Sequence, residues 1–346
     1  MKSTRAIKVI TSLSVGVVLL ASLSWIGLGQ VSGRIDRISV FAGLDNRPEK
    51  TSKALNYLLV GSDTREGLTK EEMKALRVGS TKTAAGGRSD TMLLVHISKK
   101  RDKAFLVSLP RDSLVTIPAH LSTDGKSQIP DRENKLNAAF AFGGAPLLIE
   151  TIERATNLKM DHYIEVSFAG FAGIVNALGG IEVCTKVDID DPKSHLVLKA
   201  GVHTLNGIEA LKYVRTREFD GMGDLGRMQR QQEFMGALLR KVTSTGVLLN
   251  PIKLVSFFNA AIATIKTDSE LNKSDLLTLA KQMKNLSSSN VRTLTIPLGN
   301  TNARVPGVGS VVTWDSELAP ELFNRIREDL PLTDEVTPTP SASTTA

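Results

Sequence analysis

The sequence predicts an α/β fold, a sheet packed by helices on both faces and preceded by one membrane-spanning helix. Three observations carry this. Short apolar, β-prone runs alternate along the chain with segments of helical period, the pattern of a sheet covered by helices. No break in composition and no internal repeat divides residues 54–330, so they read as one domain. A charge-free run, Val9–Gly29, follows Lys2, Arg5 and Lys8 at the N-terminus.

That run comes first in the chain. A bilayer is crossed by about 20 apolar residues in a helix. Basic residues before the span and the bulk of the chain after it predict a cytoplasmic N-terminus (1–8), a signal anchor (9–29) and an extracytoplasmic remainder. A cleaved signal peptide shares the basic start but has a shorter apolar core. Residues 30–53 read as a linker of mixed polarity. The Thr/Ser/Pro-rich end, 331–346, reads as a disordered tail.

Within the domain, "LNYLLVGSD", "TMLLVHIS" and "KAFLVSLP" read as strands. "LNAAFAFGGAPLLIETIERATN" has helical spacing after its glycines, with Leu147, Leu148 and Ile152 on one face. "HYIEVSF" reads as a strand, followed by a helix through Phe171, Ile174 and Leu178 that stops at Gly179-Gly180. "IEVCTKVDI" is a further strand, "NGIEALKYVR" a short helix and "GRMQRQQEFMGALLRKVTS" a long one. Two or three helices are expected between Pro251 and Leu286, then a late strand, "VRTLTIPL".

Charge narrows the partners. The 346 residues carry a formal net charge of +7, which favours anionic ligands such as phosphates, acidic glycans or anionic lipids. Nucleic acid is disfavoured, because no helix-turn-helix or zinc pattern is present and the predicted topology puts the basic segments outside the cell. The single cysteine, Cys184, excludes an intrachain disulfide and is expected as a small core side chain. His96, His120, His162, His195 and His203 lack metal-site spacing, and no nucleophile elbow, Walker loop or HExxH pattern occurs.

The chemistry gathers at the ends of apolar runs. "YLLVGSDTR" ends in Asp63 and Arg65, "GGRSDTMLLV" begins with Arg88 and Asp90, and "LVSLPRDS" ends in Arg111 and Asp112. Polar residues at strand ends line the ligand crevice of α/β sheets. A fourth segment, "LKYVRTREFDGMGDLGRMQRQQEFM", adds Arg215, Arg217, Arg227 and Arg230 around a glycine-rich turn, with Glu218, Asp220 and Asp224 between them. Guanidinium forks bind phosphate oxygens two at a time, so a diphosphate ligand would account for several of them. Asp63 and Asp90 would then suit a Mg²⁺ shared with the phosphates. Surface Arg/Asp pairs of little energetic weight are the plain alternative. Phe140, Phe142, Leu148, Phe168, Phe171 and Ile174 read first as core, and as an alternative they line an apolar slot for a lipid tail ending at Arg111.

The segments "NYLLVGSDTRE", "RSDTMLLVHIS", "LVSLPRDS", "NAAFAFGGAPLLIETIE", "YIEVSFAGFAGIVNALGGIEV" and "YVRTREFDGMGDLGRMQRQQ" together resemble, in order and spacing, the core of LytR–CpsA–Psr proteins. The resemblance runs from about Leu55 to Leu239 and points to an actinobacterial member. It implies a single domain (54–330) built on a central mixed β-sheet; the extra C-terminal domain that some actinobacterial members carry is not expected in this chain. It also implies a phosphotransferase that passes a glycopolymer (teichoic acid or arabinogalactan, for example), with one phosphate, from a polyprenyl-pyrophosphate carrier to a peptidoglycan hydroxyl at the outer face of the cytoplasmic membrane. By motif matching, Asp63 and Asp90 would hold Mg²⁺, with Mn²⁺ as an alternative. Arg88, Arg111, Arg215, Arg217 and Arg227 would grip the pyrophosphate with Gln231 beside them. Arg65, Asp112, Lys135, Asn137, Asp224 and Arg230 would orient or pair. The same residues would also serve a polyprenyl-pyrophosphate hydrolase or a non-catalytic binder of anionic wall polymers and lipids.

Overall fold

The computed structural model describes residues 36–65, 67–78, 89–216, 223–244, 265–282, 286 and 290–332. The anchor expected at 9–29 and the tail beyond 332 lie outside the described residues. Among those described, no helix is long and apolar enough to cross a membrane.

Seven strands form the central sheet: β1 (Asp36–Ile38), β2 (Leu55–Ser62), β3 (Ser89–Ile97), β4 (Ala104–Leu109), β9 (His162–Val166), β14 (Ile265–Asp268) and β15 (Val291–Thr295). Their order is β1-β14-β9-β2-β3-β4-β15. The sheet is mixed: β2 runs parallel to β9 and antiparallel to β3. Five ribbons decorate it: β5 (Leu114–Ile117) with β8 (Arg132–Lys135), β6 (His120–Leu121) with β7 (Gln128–Ile129), β10 (Ile181–Thr185) with β13 (Gly201–Leu205), β11 (Ile189–Asp191) with β12 (Leu196–Leu198), and β16 (Ala303–Val305) with β17 (Gly309–Val311). The helices are α1 (Lys70–Leu76), α2 (Leu136–Thr156), α3 (Phe168–Ala177), α4 (Gly207–Tyr213), α5 (Gly223–Ser244), α6 (Lys273–Gln282) and α7 (Leu318–Arg327).

The period-2 rule assigns the two faces. Leu58 and Val60 of β2, with Met92 and Leu94 of β3 and Val107 of β4, form the main core against Leu148 and Ile152 of α2 and Leu322 and Ile326 of α7. The alternate residues point the other way, toward α3, α4 and α5. Those helices have a second core of their own around Val175, Ile181, Leu205, Tyr213 and Phe234. On this second face Leu59, Gly61, Thr91, Ile164 and Val166 are only half-buried, although β2 is an inner strand of the sheet. An inner strand flanked by helices should be buried on both sides. The shortfall marks a gap between the sheet and the helical layer.

Local chemistry sets the helix ends. The Ser167 hydroxyl accepts a hydrogen bond from the Gly170 amide and starts α3. Asn206 and Glu209 form a capping box at α4. A Cβ at Gly207 would lie 2.3 Å from the Ala172 carbonyl oxygen, so the close approach of α4 to α3 requires glycine. In α2 the helical spacing is legible only after Gly143 and Gly144. A first segment, from Leu136, precedes them, and the two pieces meet at a break where Gly144 has φ +65°.

Two expectations, for the linker and for Cys184, are corrected. The linker at 30–53 contributes the edge strand β1 and the fully buried Val40, and Arg47 grips Glu153 with Nε–Oε2 at 3.0 Å and Nη2–Oε1 at 2.7 Å. Its apolar residues are too scattered to show a period. Of the stretch 251–286, where two or three helices are expected, residues 251–264 and 283–285 lie outside the described residues, and the rest holds strand β14 and helix α6. Cys184 is exposed rather than core. Alternation along "IEVC" turns Ile181 and Val183 inward and leaves Glu182 and Cys184 outside.

Candidate active site

The gap between the sheet and the helices is a pocket of about 520 Å³. Its sheet wall is Leu59, Leu93, Ile164 and Ile265, and its helix wall is Phe171, Ile174, Phe234, Met235 and Leu238. Polar groups join the lining at Ser62, Thr91, Ser167, Lys193, Arg215, Arg227 and Gln231. An apolar cavity with a few convergent polar groups is the usual form of a ligand site.

Helix α5 supplies one wall by its period. Arg227, Gln231, Phe234, Met235 and Leu238 line this pocket, whereas Gly226, Gln229, Arg230, Glu233, Ala237 and Arg240 line a second cleft of about 360 Å³ beside β10. At 3.6 residues per turn the two sets centre about 130° apart on the helix. The Arg230 Nη2 donates to the Thr216 carbonyl at 2.7 Å, and the Gln231 Nε2 donates to the Val214 carbonyl at 3.2 Å. Together they clamp the end of α4. Arg215, just beyond that helix, stands with its guanidinium carbon 5.3 Å from the Phe168 ring centroid. Tyr213 lines the second cleft, and burial, with the Glu233 carboxylate adding to it, pushes its phenol up to about 12. It is neutral at physiological pH.

The strand ends meet beside the pocket. Gly61 pairs with Thr91 and Ser62 with Ser89, so Asp90 is the extra residue of a β-bulge opposite the end of β2, one residue before Asp63. Bulges of this kind occur next to active sites, where they re-aim a side chain. The Thr64 hydroxyl is shielded from solvent and has no hydrogen-bond partner among the described residues. Beyond β4, the Asp112 carboxylate accepts from Arg111 Nε at 3.2 Å and from Lys135 Nζ at 2.9 Å. Amides at the start of α2 fasten the same turn, with Leu136 donating to the Ser113 carbonyl and Asn137 to that of Arg111. From the other side, the Trp314 indole donates to the Ser113 hydroxyl at 2.8 Å.

The family model described as LytR_cpsA_psr family matches residues 34–325. The chain belongs to that family. LcpB of Corynebacterium glutamicum, named a probable cell wall biosynthesis protein, is 37% identical over 79% of this chain and 61% of its own length. The chain therefore spans about three-fifths of that relative. Enterococcus faecalis TagU, a polyisoprenyl-teichoic acid–peptidoglycan teichoic acid transferase, is 30% identical over 75% of this chain and 79% of its own. Among solved structures, Bacillus subtilis TagT matches with a TM-score of 0.59 and 26% identity, covering 86% of this chain and 99% of that one. TagT has also been solved bound to LI-WTA, with the same TM-score and identity.

In this LytR–CpsA–Psr domain the expected site residues divide into groups. Arg215, Arg227 and Gln231 line one pocket. Asp63 and the backbone of Asp90 meet at neighbouring strand ends, and Arg111, Asp112 and Lys135 form a linked cluster just after β4. Arg65 lies two residues beyond Asp63, and Asn137 sits in the first turn of α2. Arg230 lines the other cleft. Arg88 and Arg217, and the side chains of Asp90 and Asp224, lie outside the described residues. Of the slot candidates, Phe168, Phe171 and Ile174 line the pocket, while Leu148 is in the main core with Phe140 and Phe142 packed against it. Arg111 is not among the lining residues; the arginines in the wall are Arg215 and Arg227. Ser62, Thr91, Ser167 and Lys193 were missed. Only the strand-end position of the first three could have signalled them.

Proposed function

We propose that this protein transfers a glycopolymer, with one phosphate, from a polyprenyl-pyrophosphate carrier to a peptidoglycan hydroxyl. One observation carries the reading: an apolar pocket holds Arg215, Arg227 and Gln231 in its wall, beside strand ends that bring Asp63 and Asp90 together. A lipid diphosphate has this division into apolar tail and charged head. The transferase names of TagU and its relatives support the same class of reaction.

In the proposed reaction an acceptor oxygen bonds to the sugar-side phosphorus, the bridging P–O bond breaks, and polyprenyl phosphate leaves with the electron pair. Phosphoryl transfer asks of the protein mainly positioning and charge neutralisation. Arg215 and Arg227 would hold the diphosphate, with Arg88, Arg111 and Arg217 completing the grip. Phe168 would keep the Arg215 fork oriented, while Arg230 and Gln231 hold the backbone that carries it. The hydroxyl proton would pass to Asp63 or Asp90. Apolar walls at Leu59, Phe171 and Leu238 would take the proximal tail and exclude water.

A Mg²⁺-class ion fits the residues present. Such an ion takes one or two carboxylates together with substrate phosphates. Asp63 and Asp90 would supply the carboxylates, and the Thr64 hydroxyl, without a partner among the described residues, would add a hard oxygen. When bound there, Mg²⁺ or Mn²⁺ would neutralise charge on the diphosphate. The apolar run at 9–29 would anchor the chain in the cytoplasmic membrane with the domain outside.

The test supplies the detergent-solubilised chain with a synthetic prenyl-pyrophosphoryl sugar and peptidoglycan oligomers, with and without Mg²⁺. Mass spectrometry should find acceptor enlarged by sugar plus one phosphate, lost in Arg227→Ala. Sugar phosphate released without an adduct would instead identify a hydrolase. Tight lipid binding with no product would identify a binder.

A further inference from the structure

The second cleft along α5 is not used by the reaction just described. Its walls are β10 with the residue that follows it, from Glu182 through Lys186, and the α5 face bearing Gln229, Arg230, Glu233 and Arg240. Three properties define what it can hold.

The first is a sheet edge. Among the described residues β10 pairs only with β13. Alternate backbone N–H and C=O groups along its other side therefore lack a strand partner among the described residues, and consecutive residues of the strand line the cleft. An extended peptide can add to such an edge as a further strand, with a helix closing the groove over it. The second is length. Five residues of β10, at about 3.3 Å each, suit a peptide of about four or five residues. The third is charge. Both walls mix signs, with Glu182 on the strand and Lys186 just after it, and Glu233, Arg230 and Arg240 on the helix; all but Arg230 are exposed. That pattern complements a ligand bearing both ammonium and carboxylate groups, and it repels a ligand of one sign less strongly than it attracts one of both.

We propose that this cleft binds a short extended peptide carrying ammonium and carboxylate groups, namely the peptide portion of the wall acceptor. The identification of the peptide with the acceptor rests on the transferase reading above. Position connects the two sites. Arg230 lines the cleft, and its guanidinium holds the Thr216 carbonyl, directly before the arginine-rich turn. A peptide in the cleft would thus dock one side chain away from the segment that grips the diphosphate, bringing the attached sugar hydroxyl toward it.

Cys184 makes the proposal testable, because the chain's single cysteine is exposed and lines this cleft. The probe is a synthetic pentapeptide with one side-chain ammonium and a free C-terminal carboxylate, added to the full chain in detergent. At saturation it should slow maleimide alkylation of Cys184 at least tenfold. The double variant Glu182→Lys/Glu233→Lys should weaken that protection at least tenfold while leaving binding of a prenyl-pyrophosphate unchanged. In the transfer assay the same variant should raise KM for a peptide-bearing acceptor, with kcat unchanged, and leave KM for a peptide-free glycan where it was. Alkylation unaffected by the peptide, in a chain that still transfers, overturns the cleft and spares the transferase. Protection by the peptide without transfer to any acceptor supports the cleft and removes the transferase. Protection that grows with protein concentration and needs no peptide assigns the cleft to a second copy and overturns the proposal.

Discussion

Arg227 and Arg230 stand three residues apart on one helix and line different clefts. The first shares its cavity with Phe234 and Leu238, while the second holds the Thr216 carbonyl at 2.7 Å. Two arginines of one motif therefore have separable tasks. Arg227→Ala should lower affinity for a prenyl-pyrophosphate at least tenfold. Arg230→Ala should instead cost about 1.5–3 kcal/mol of stability, the usual worth of a charged hydrogen bond. Lipid titration and urea unfolding of both variants check the division.

Leu59 is half-buried on an inner strand, facing the pocket between its cross-strand neighbours Leu93 and Ile164. Leu59→Trp should fill that space. Because the cavity exists already, stability should hold or rise, whereas binding of a prenyl-pyrophosphate should fall at least tenfold relative to a short-chain water-soluble pyrophosphate. Equal loss for both ligands would show that the pocket does not take the tail.

The Arg47–Glu153 pair ties the segment before β2 to the end of α2. Glu153 is 2% exposed, and it also accepts from the Met160 amide at 2.7 Å. Removing one partner of a buried pair strands the other charge, at about 3–5 kcal/mol. Arg47→Met should lower stability by that order, measured by denaturant unfolding, with lipid affinity retained at temperatures where the variant is folded.

Gly207 meets the Ala172 carbonyl at the crossing of α3 and α4. Gly207→Ala should force the helices apart at a cost of about 1–3 kcal/mol. Since α3 carries Phe168 and Phe171 of the pocket wall, lipid affinity should fall as well. Thermal unfolding and lipid titration read the two effects.

Asp268 gives the fold an acid limit. Burial pushes its carboxyl up, but hydrogen bonds from His162 and from the Tyr163 and Leu271 amides outweigh that and hold it below the ordinary carboxylate value. A depressed folded-state value means stability that is fully present above the unfolded value of about 3.9 and is lost as pH falls through the folded one. Asp268→Asn should therefore be less stable than the parent at neutral pH, and the gap should narrow below about pH 4. Unfolding curves from pH 7 to 3 test this.

Local signals made much of the protein legible. The strands of the central sheet with apolar runs, helices α3 and α4, and the acids and arginines at the strand ends all follow from short stretches of chain. Strands β1 and β14 did not, because three or four residues carry no period and owe their state to the sheet edge they join. Arg47 was passed over as linker, since its partner Glu153 lies 106 residues away.

The sequence by itself determined the family, the α/β class and the residue types that could meet a diphosphate, because motif order and side-chain chemistry are local properties. Only the tertiary structure decided that Leu59 and Phe171 line a cavity rather than touch, that Arg230 turns from Arg227 to another cleft, and that Cys184 lies outside the core. Each of these depends on how far apart two packed layers stand, a balance of many distant contacts that no single segment encodes.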